Sequence, residues 1–359
     1  MDICLIGDNG YVEYMSCFIV SLLKNSNYDD NFSIHIIEED ISDDNKNKLI
    51  SLKNIKPFNI YFYRPINIEK YKSWEYELKK IDKSYLWNYK IFIKLDIPLL
   101  LKDLDKVLYL DIDQIVLSSI NKFFTIDISK YYIMGIQIPK KSFDTGLDFI
   151  DQEENFRNFV NDIGIENPKK DYLVSNIIMF NLKLIKEEYG LSKLDEQTNQ
   201  CFSKYKNAIH TDEHVFLYLF SNKMVFVDWS CNIVNDYPEN DIEIENREIK
   251  IYHFWGPKKP LSPKYLQYNY RNNFDKYYYL FWKYFVLTPF FIEDSKKYMQ
   301  IFASHFYEEK TNNLYIDQTK EINKNNAHSL CILGLERNDK YIILNIFGIK
   351  ITIKRNKKY

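Results

Sequence analysis

The feature that most constrains this chain is an alternation of short apolar runs with helix-like segments, filling roughly the first 250 residues. The runs are Ile3–Gly7, Ser33–Glu38, Asn59–Tyr63, Lys106–Leu110, Tyr131–Gln137, Ile177–Asn181, Val225–Asp228 and Ile249–Phe254. Tyr14 to Leu23 has apolar spacing suited to a helix. A second helix is expected over about Trp87 to Leu101, with Pro98 as its weak point. Strands alternating with helices fold as a mostly parallel sheet with helices on its faces. Ligands of such sheets bind beyond the carboxyl ends of the strands, so the residues just after each run deserve inspection. After about Pro263 the texture changes. Tyr265 to Met299 is crowded with aromatics and lysines and reads as helical, and from Ser329 the chain alternates in strand fashion. The expected organisation is an α/β domain over residues 1–262 and a small appendage, helical and then β-like, over 263–359.

Two segments carry chemistry. Lys106 to Leu110 is an apolar strand that ends in Asp111, Ile112 and Asp113. Two carboxylates one residue apart at a strand's end can converge on one divalent cation if the backbone turns there. Such hard oxygen ligands suit Mg²⁺ or Mn²⁺. The alternative is two aspartates opening a loop, where Asp is favoured. The second segment is Tyr252-His253-Phe254-Trp255-Gly256-Pro257-Lys258-Lys259-Pro260. A His ends an apolar run there and a Gly-Pro turn with a lysine pair follows. This suits a metal ligand beside a phosphate-directed lysine, or equally a partly buried His and a solvated basic turn.

Composition narrows the classes. A net charge of -2 gives no reason to expect nucleic acid as a partner. The five cysteines (Cys4, Cys17, Cys201, Cys231 and Cys331) form no Cys-x-x-Cys pair, so reduced thiols in a cytoplasmic protein are expected. No run approaches the roughly 18 apolar residues of a membrane helix, and the first residues lack the pattern of a secretory signal. A dinucleotide oxidoreductase would fit the alternation, but only Gly7 and Gly10 stand near the first strand, without a Gly-x-Gly-x-x-Gly turn. A P-loop is excluded by the lack of a Gly-Lys-Ser/Thr turn.

Taken together, the Asp111-Ile112-Asp113 strand and the later His253-Phe254-x-Gly256-Pro257-x-Lys259-Pro260 segment resemble family 8 of the retaining glycosyltransferases. That family includes bacterial lipopolysaccharide galactosyl- and glucosyltransferases and glycogenin. The opening Ile3-Cys4-Leu5-Ile6-Gly7-Asp8-Asn9-Gly10-Tyr11 is similar to the family's first strand and nucleotide loop. The resemblance implies a GT-A type, Rossmann-like nucleotide-sugar-binding domain. Within it Asp111, Asp113 and His253 would hold Mn²⁺ or Mg²⁺. Asp8 and Tyr11 would bind the uridine of a UDP-sugar, and Gly256 and Lys259 its phosphates. Lys94 falls where many members have Arg, within reach of donor phosphate or sugar. Asp212-Glu213-His214 resembles the family's Asp-Gln-Asp segment. Asp212 would then hydrogen-bond the donor sugar, and Glu213 would act as nucleophile or stabilise an oxocarbenium-like transition state. Read without the resemblance, the same pair is an acidic helix N-terminus favoured by the macrodipole.

The implied activity is transfer of glucose or galactose from a UDP-hexose to a saccharide or lipid-linked saccharide, in lipopolysaccharide or capsule synthesis. Two departures bear on it. Val174-Ser175-Asn176 replaces the family's Asn-Ser/Ala-Gly turn, and Gln137 and Pro139 stand where an Asp usually follows the strand. The first motivates a second reading, a non-catalytic UDP- or carbohydrate-binding member. The segment Phe281 to Phe291 resembles one found after the catalytic domain in surface-polysaccharide members. The basic end, with Lys350, Lys354, Arg355, Lys357 and Lys358, suits either peripheral contact with an anionic inner membrane or a solvated tail.

Overall fold

A computed structural model describes residues 1–137, 153–166, 172–234, 247–256, 259–262, 274–303, 333–337, 341–346 and 349–354. The chain divides into two compact units, one of Met1–Trp255 with Thr288–Phe290, the other of Gly256–Leu287 with Phe291–Tyr359.

The first unit is built on a seven-stranded sheet in the order β3-β2-β1-β4-β7-β6-β8. Its strands are β1 (Asp2–Gly7), β2 (Ser33–Glu38), β3 (Asn59–Tyr63), β4 (Val107–Leu110), β6 (Ile133–Gln137), β7 (Leu173–Phe180) and β8 (Met224–Val227). β3, β2, β1 and β4 are mutually parallel, and β6 is parallel to β8. β7 runs antiparallel between β4 and β6. All four residues of β4 are buried, as expected of a strand covered on both faces. The helix Val12–Lys24 connects β1 to β2, and eleven of its residues are buried, from Val12 to Leu23. This topology decides where chemistry gathers. The carboxyl ends of β1 and β4 lie on one edge, and antiparallel β7 brings its amino end to the same edge. Leu110 pairs with Ile177, and the Asp111 N–H donates to the Asn176 carbonyl at 3.1 Å.

A second, three-stranded sheet in the first unit orders β5 (Gln114–Val116), β10 (Ile251–His253) and β9 (Asn232–Val234). The apolar runs locate the long strands to within a residue or two at most ends. β5 and β9 have three residues each, too few to show a period, and the first half of β7 precedes the run expected at Ile177.

The helix expected over Trp87 to Leu101 is a correction. The chain forms a 3₁₀ helix, Tyr89–Asp96, followed by one α-turn, Ile97–Leu100, with Pro98 in its first positions. Five consecutive residues, Phe92 to Asp96, are buried. No single amphipathic face accounts for that. Asp96 is held on one side by the N–H groups of Ile66 and Asn67 and the Tyr71 hydroxyl. Lys94 is held on another by acidic groups described below.

In the second unit, Phe274–Phe285, Pro289–Glu293 (whose first two residues belong to the first unit) and residues 295–303 are helical. β11 (Leu333–Arg337), β12 (Tyr341–Ile346) and β13 (Ile349–Lys354) form an antiparallel sheet. Tyr265 to Asn273 and Arg355 to Tyr359 lie outside the described residues. Cys4, Cys17, Cys201 and Cys231 are buried free thiols, and Cys331 lies outside the description. Among the described residues no helix is long and apolar enough to cross a membrane.

Candidate active site

β4 ends at Leu110, and the chain turns through Asp111, Ile112 and Asp113 before entering β5. β10 pairs antiparallel with β5, placing His253 opposite Gln114, and the Phe254 N–H donates to the Asp113 carbonyl at 3.0 Å. The small sheet therefore carries a distant residue to the turn. His253 Nε2 lies 3.1 Å from Asp113 Oδ1 and 3.8 Å from Asp111 Oδ2. One ligand atom from each of Asp111, Asp113 and His253 falls within 4.8 Å of the others. On the far side of the ring, Asn176 Nδ2 donates to His253 Nδ1 at 3.1 Å. The Tyr109 hydroxyl donates to Asp111 Oδ1 at 2.5 Å. Burial, and then the Asp111 charge, push the Tyr109 phenol well above its ordinary value.

Asp212 and Glu213 open the helix Asp212–Phe220 beside the start of β7. The buried Lys94 amine stands 3.2 Å from Asp212 Oδ2 and 3.6 Å from Asp111 Oδ1. It donates to Ser175 Oγ at 2.9 Å and to the Ser175 carbonyl at 3.3 Å. Burial works against the charged amine, but Asp111, Asp212 and Glu213 outweigh it and hold Lys94 above the ordinary lysine value. Glu213 is gripped at both oxygens. Oε1 accepts from the Ser175 N–H at 3.0 Å, and Oε2 from the Tyr172 hydroxyl at 2.9 Å. Desolvation, reinforced by Asp212, nonetheless raises its pKa to about 7. Asp212 is also raised, burial outweighing the lowering by Lys94. The helix N-terminus alone does not make these two ordinary surface acids. Behind them His214 is kept neutral, its pKa pushed down to about 3 by burial, with Nε2 3.1 Å from the Tyr172 hydroxyl.

The cluster sets four carboxylates (Asp111, Asp113, Asp212 and Glu213) against the cation of Lys94. Two carboxylates and an imidazole within a cation's span, inside a surplus of negative charge, fit a hard divalent ion.

The first strand ends at the same edge. Asp8 Oδ1 accepts from the Gly10 and Tyr11 N–H groups at 2.9 and 3.0 Å, and Oδ2 pairs with Lys90 at 2.5 Å. Tyr11 is 43% exposed at the start of the helix Val12–Lys24, open to stacking. A Cβ on Gly7 would lie 2.7 Å from Met15 Cε and 2.8 Å from Ile112 Cδ1, so the nucleotide-loop candidate and the two-aspartate turn pack on each other. Gly256 has φ +71°, a left-handed conformation that favours glycine. Gly256 and Lys259 belong to the second unit, whereas the acidic cluster belongs to the first. Pro257, Lys258, Pro139 and the segment after Gln137 lie outside the described residues.

Sequence reasoning therefore named six residues that the first unit assembles: Lys94, Asp111, Asp113, Asp212, Glu213 and His253. It did not assign parts to Tyr109, Tyr172, Ser175, Asn176 or Lys90. The substitution of the family turn by Val174-Ser175-Asn176 was the available signal for two of these. Ser175 and Asn176 carry contacts in the cluster itself.

Comparison with known proteins bears on the family and the fold. The family model described as glycosyl transferase family 8 matches residues 2–261. Among solved structures, the apo bifunctional glycosyltransferase WbbM is similar at TM-score 0.59 and 16% identity, over 83% of this chain and 52% of that one. The chain thus spans about half the length of WbbM. The galactosyltransferase LgtC, solved with donor and acceptor sugar analogues, is similar at TM-score 0.57 and 16% identity, over 80% of this chain and 96% of that one. GlyE from Streptococcus pneumoniae TIGR4 follows at TM-score 0.52 and 15% identity, over 90% and 66%. At such identities the likeness concerns the fold, which is GT-A type. No curated protein sequence matches the chain.

Proposed function

We propose, from the premise that this chain belongs to glycosyl transferase family 8, that it transfers glucose or galactose from a UDP-sugar to a saccharide acceptor. The observation that carries the reading is the convergence of Asp111, Asp113 and His253 beside the Lys94–Asp212–Glu213 cluster. In this reading Asp111, Asp113 and His253 hold Mn²⁺ or Mg²⁺, which when bound supplies Lewis-acid stabilisation of the UDP diphosphate. Asp8 and Tyr11 take the uridine, and Gly256 and Lys259 the phosphates. Asp212 accepts a hydrogen bond from the donor sugar and is kept in place by Lys94. Glu213 serves the reacting carbon. It attacks C1 as the bond to UDP breaks, forming a glycosyl ester that the acceptor hydroxyl displaces, or it stays an ion beside an oxocarbenium-like transition state. Its raised pKa suits a group that must be anionic near neutrality yet can hold a proton. The acceptor is proposed to be a lipopolysaccharide or capsule precursor met at the cytoplasmic face of the membrane, with the basic C-terminal end as the contact.

The test is UDP release from a panel of UDP-sugars with Mn²⁺, with and without chelator, alongside an Asp111→Ala/Asp113→Ala variant. Turnover of one donor, lost with chelator and in the variant, is expected. UDP binding with no turnover across the panel would instead favour the non-catalytic reading.

A further inference from the structure

The geometry points to Asn176 as a positioning residue that sets the tautomer of His253 and thereby its availability to a cation. This rests on the reading of Asp111, Asp113 and His253 as the cation site. Asn176 is buried, 3% exposed, and its backbone carbonyl is already engaged by the Asp111 N–H and by Gln114 Nε2. Its side chain is thus a separate device. Nδ2 donates to His253 Nδ1 at 3.1 Å, while Oδ1 is buried with no hydrogen-bond partner among the described residues. A ring whose Nδ1 accepts must carry its proton on Nε2, and Nε2 indeed faces Asp113 Oδ1 at 3.1 Å. That tautomer satisfies the ion-free pair, but its Nε2 has no lone pair to give. Ligation through Nε2 moves the proton to Nδ1, which then needs an acceptor. A half-turn of the Asn176 amide supplies one, bringing the orphaned Oδ1 to Nδ1–H. The amide carries both a donor and an acceptor, so one residue completes both states.

The experiment measures Mn²⁺ affinity by calorimetry for the wild type, His253→Ala, Asn176→Ala and Asn176→Asp. The His253 tautomer is read from ¹⁵N shifts without metal and with Mg²⁺. The wild type should show Nε2–H without metal and Nδ1–H with Mg²⁺. Asn176→Ala should weaken Mn²⁺ binding about 10- to 100-fold. Asn176→Asp, which can only accept, should show Nδ1–H even without metal and bind Mn²⁺ at least as tightly as the wild type. If His253→Ala weakens binding but Asn176→Ala stays within about 2-fold of the wild type, the assignment of Asn176 is wrong while the cation site stands. Equal weakening in both Asn176 variants, with an unchanged His253 tautomer, also overturns it. If the wild type binds no Mn²⁺, or His253→Ala binds as well as the wild type, the underlying site fails.

Discussion

Glu213→Gln separates stability from function at one atom pair. The substitution preserves the hydrogen bonds. The new amide oxygen can accept from the Ser175 N–H, and the amide nitrogen can donate to the Tyr172 oxygen, whose proton then turns to His214 Nε2. What disappears is a carboxylate whose pKa rises from an ordinary 4.5 to about 7, first through desolvation and then through Asp212. The folded state holds this proton to higher pH than the unfolded chain does. Between about pH 4.5 and 7 it binds more protons, so this contribution to stability falls as pH rises through that window and stays low above it. The full rise corresponds to roughly 3 kcal/mol at 1.36 kcal/mol per pH unit, and partial solvent contact of Glu213 reduces it to about 1–3 kcal/mol. The variant should match the wild type near pH 4.5 and exceed its stability above pH 7, by roughly 2–4 °C in apparent Tm per kcal/mol. The assay is a pair of thermal melts in chelator across pH 4.5–8.5, taken as a difference so that titrating groups distant from Glu213 cancel. At pH 7.5 the variant should also lose about 100-fold or more in kcat while its affinity for UDP is unchanged. A stability difference independent of pH, or one that favours the wild type above pH 7, would refute the reasoning about the buried carboxylate. An unchanged kcat would remove Glu213 from the chemistry.

Lys94→Met should cost about 3–5 kcal/mol, because Asp212 and Asp111 are left without their cation; Asp212→Asn in the same chain should restore part of it in urea titrations. Lys94→Arg should not substitute, since the planar guanidinium cannot reproduce the contacts to Ser175 Oγ and carbonyl. Gly7→Ala should cost about 1 kcal/mol by displacing the ends of Met15 and Ile112. It should also weaken Mn²⁺ binding severalfold in calorimetry, because Ile112 lies between the two aspartates.

Much of this molecule is legible in its sequence, for reasons of period and local chemistry. The run at Ser33–Glu38 coincides with β2 because a buried parallel strand is largely apolar, whereas Asn59–Tyr63 coincides with β3, a half-exposed edge strand, through its β-branched and aromatic residues. Asp111, Asp113 and His253 could be named because each follows an apolar run, where such sheets place their ligands. Tertiary structure decided the rest. Tyr89–Asp96 is a 3₁₀ helix because Lys94 and Asp96 are pulled to different polar partners, information that no local period contains. His253 meets Asp113 only because β10 pairs with β5, a three-residue strand too short to announce itself. Glu213 is an acid with a pKa near neutrality rather than a helix-capping charge because burial and Asp212 surround it. Asn176, which in the sequence marks only a departure from a family turn, lies behind the imidazole because β7 runs antiparallel to β4 and presents its amino end to the same edge. Residue types and their local spacing are written along the chain, whereas the distances that turn them into chemistry arise from pairing between segments far apart in it.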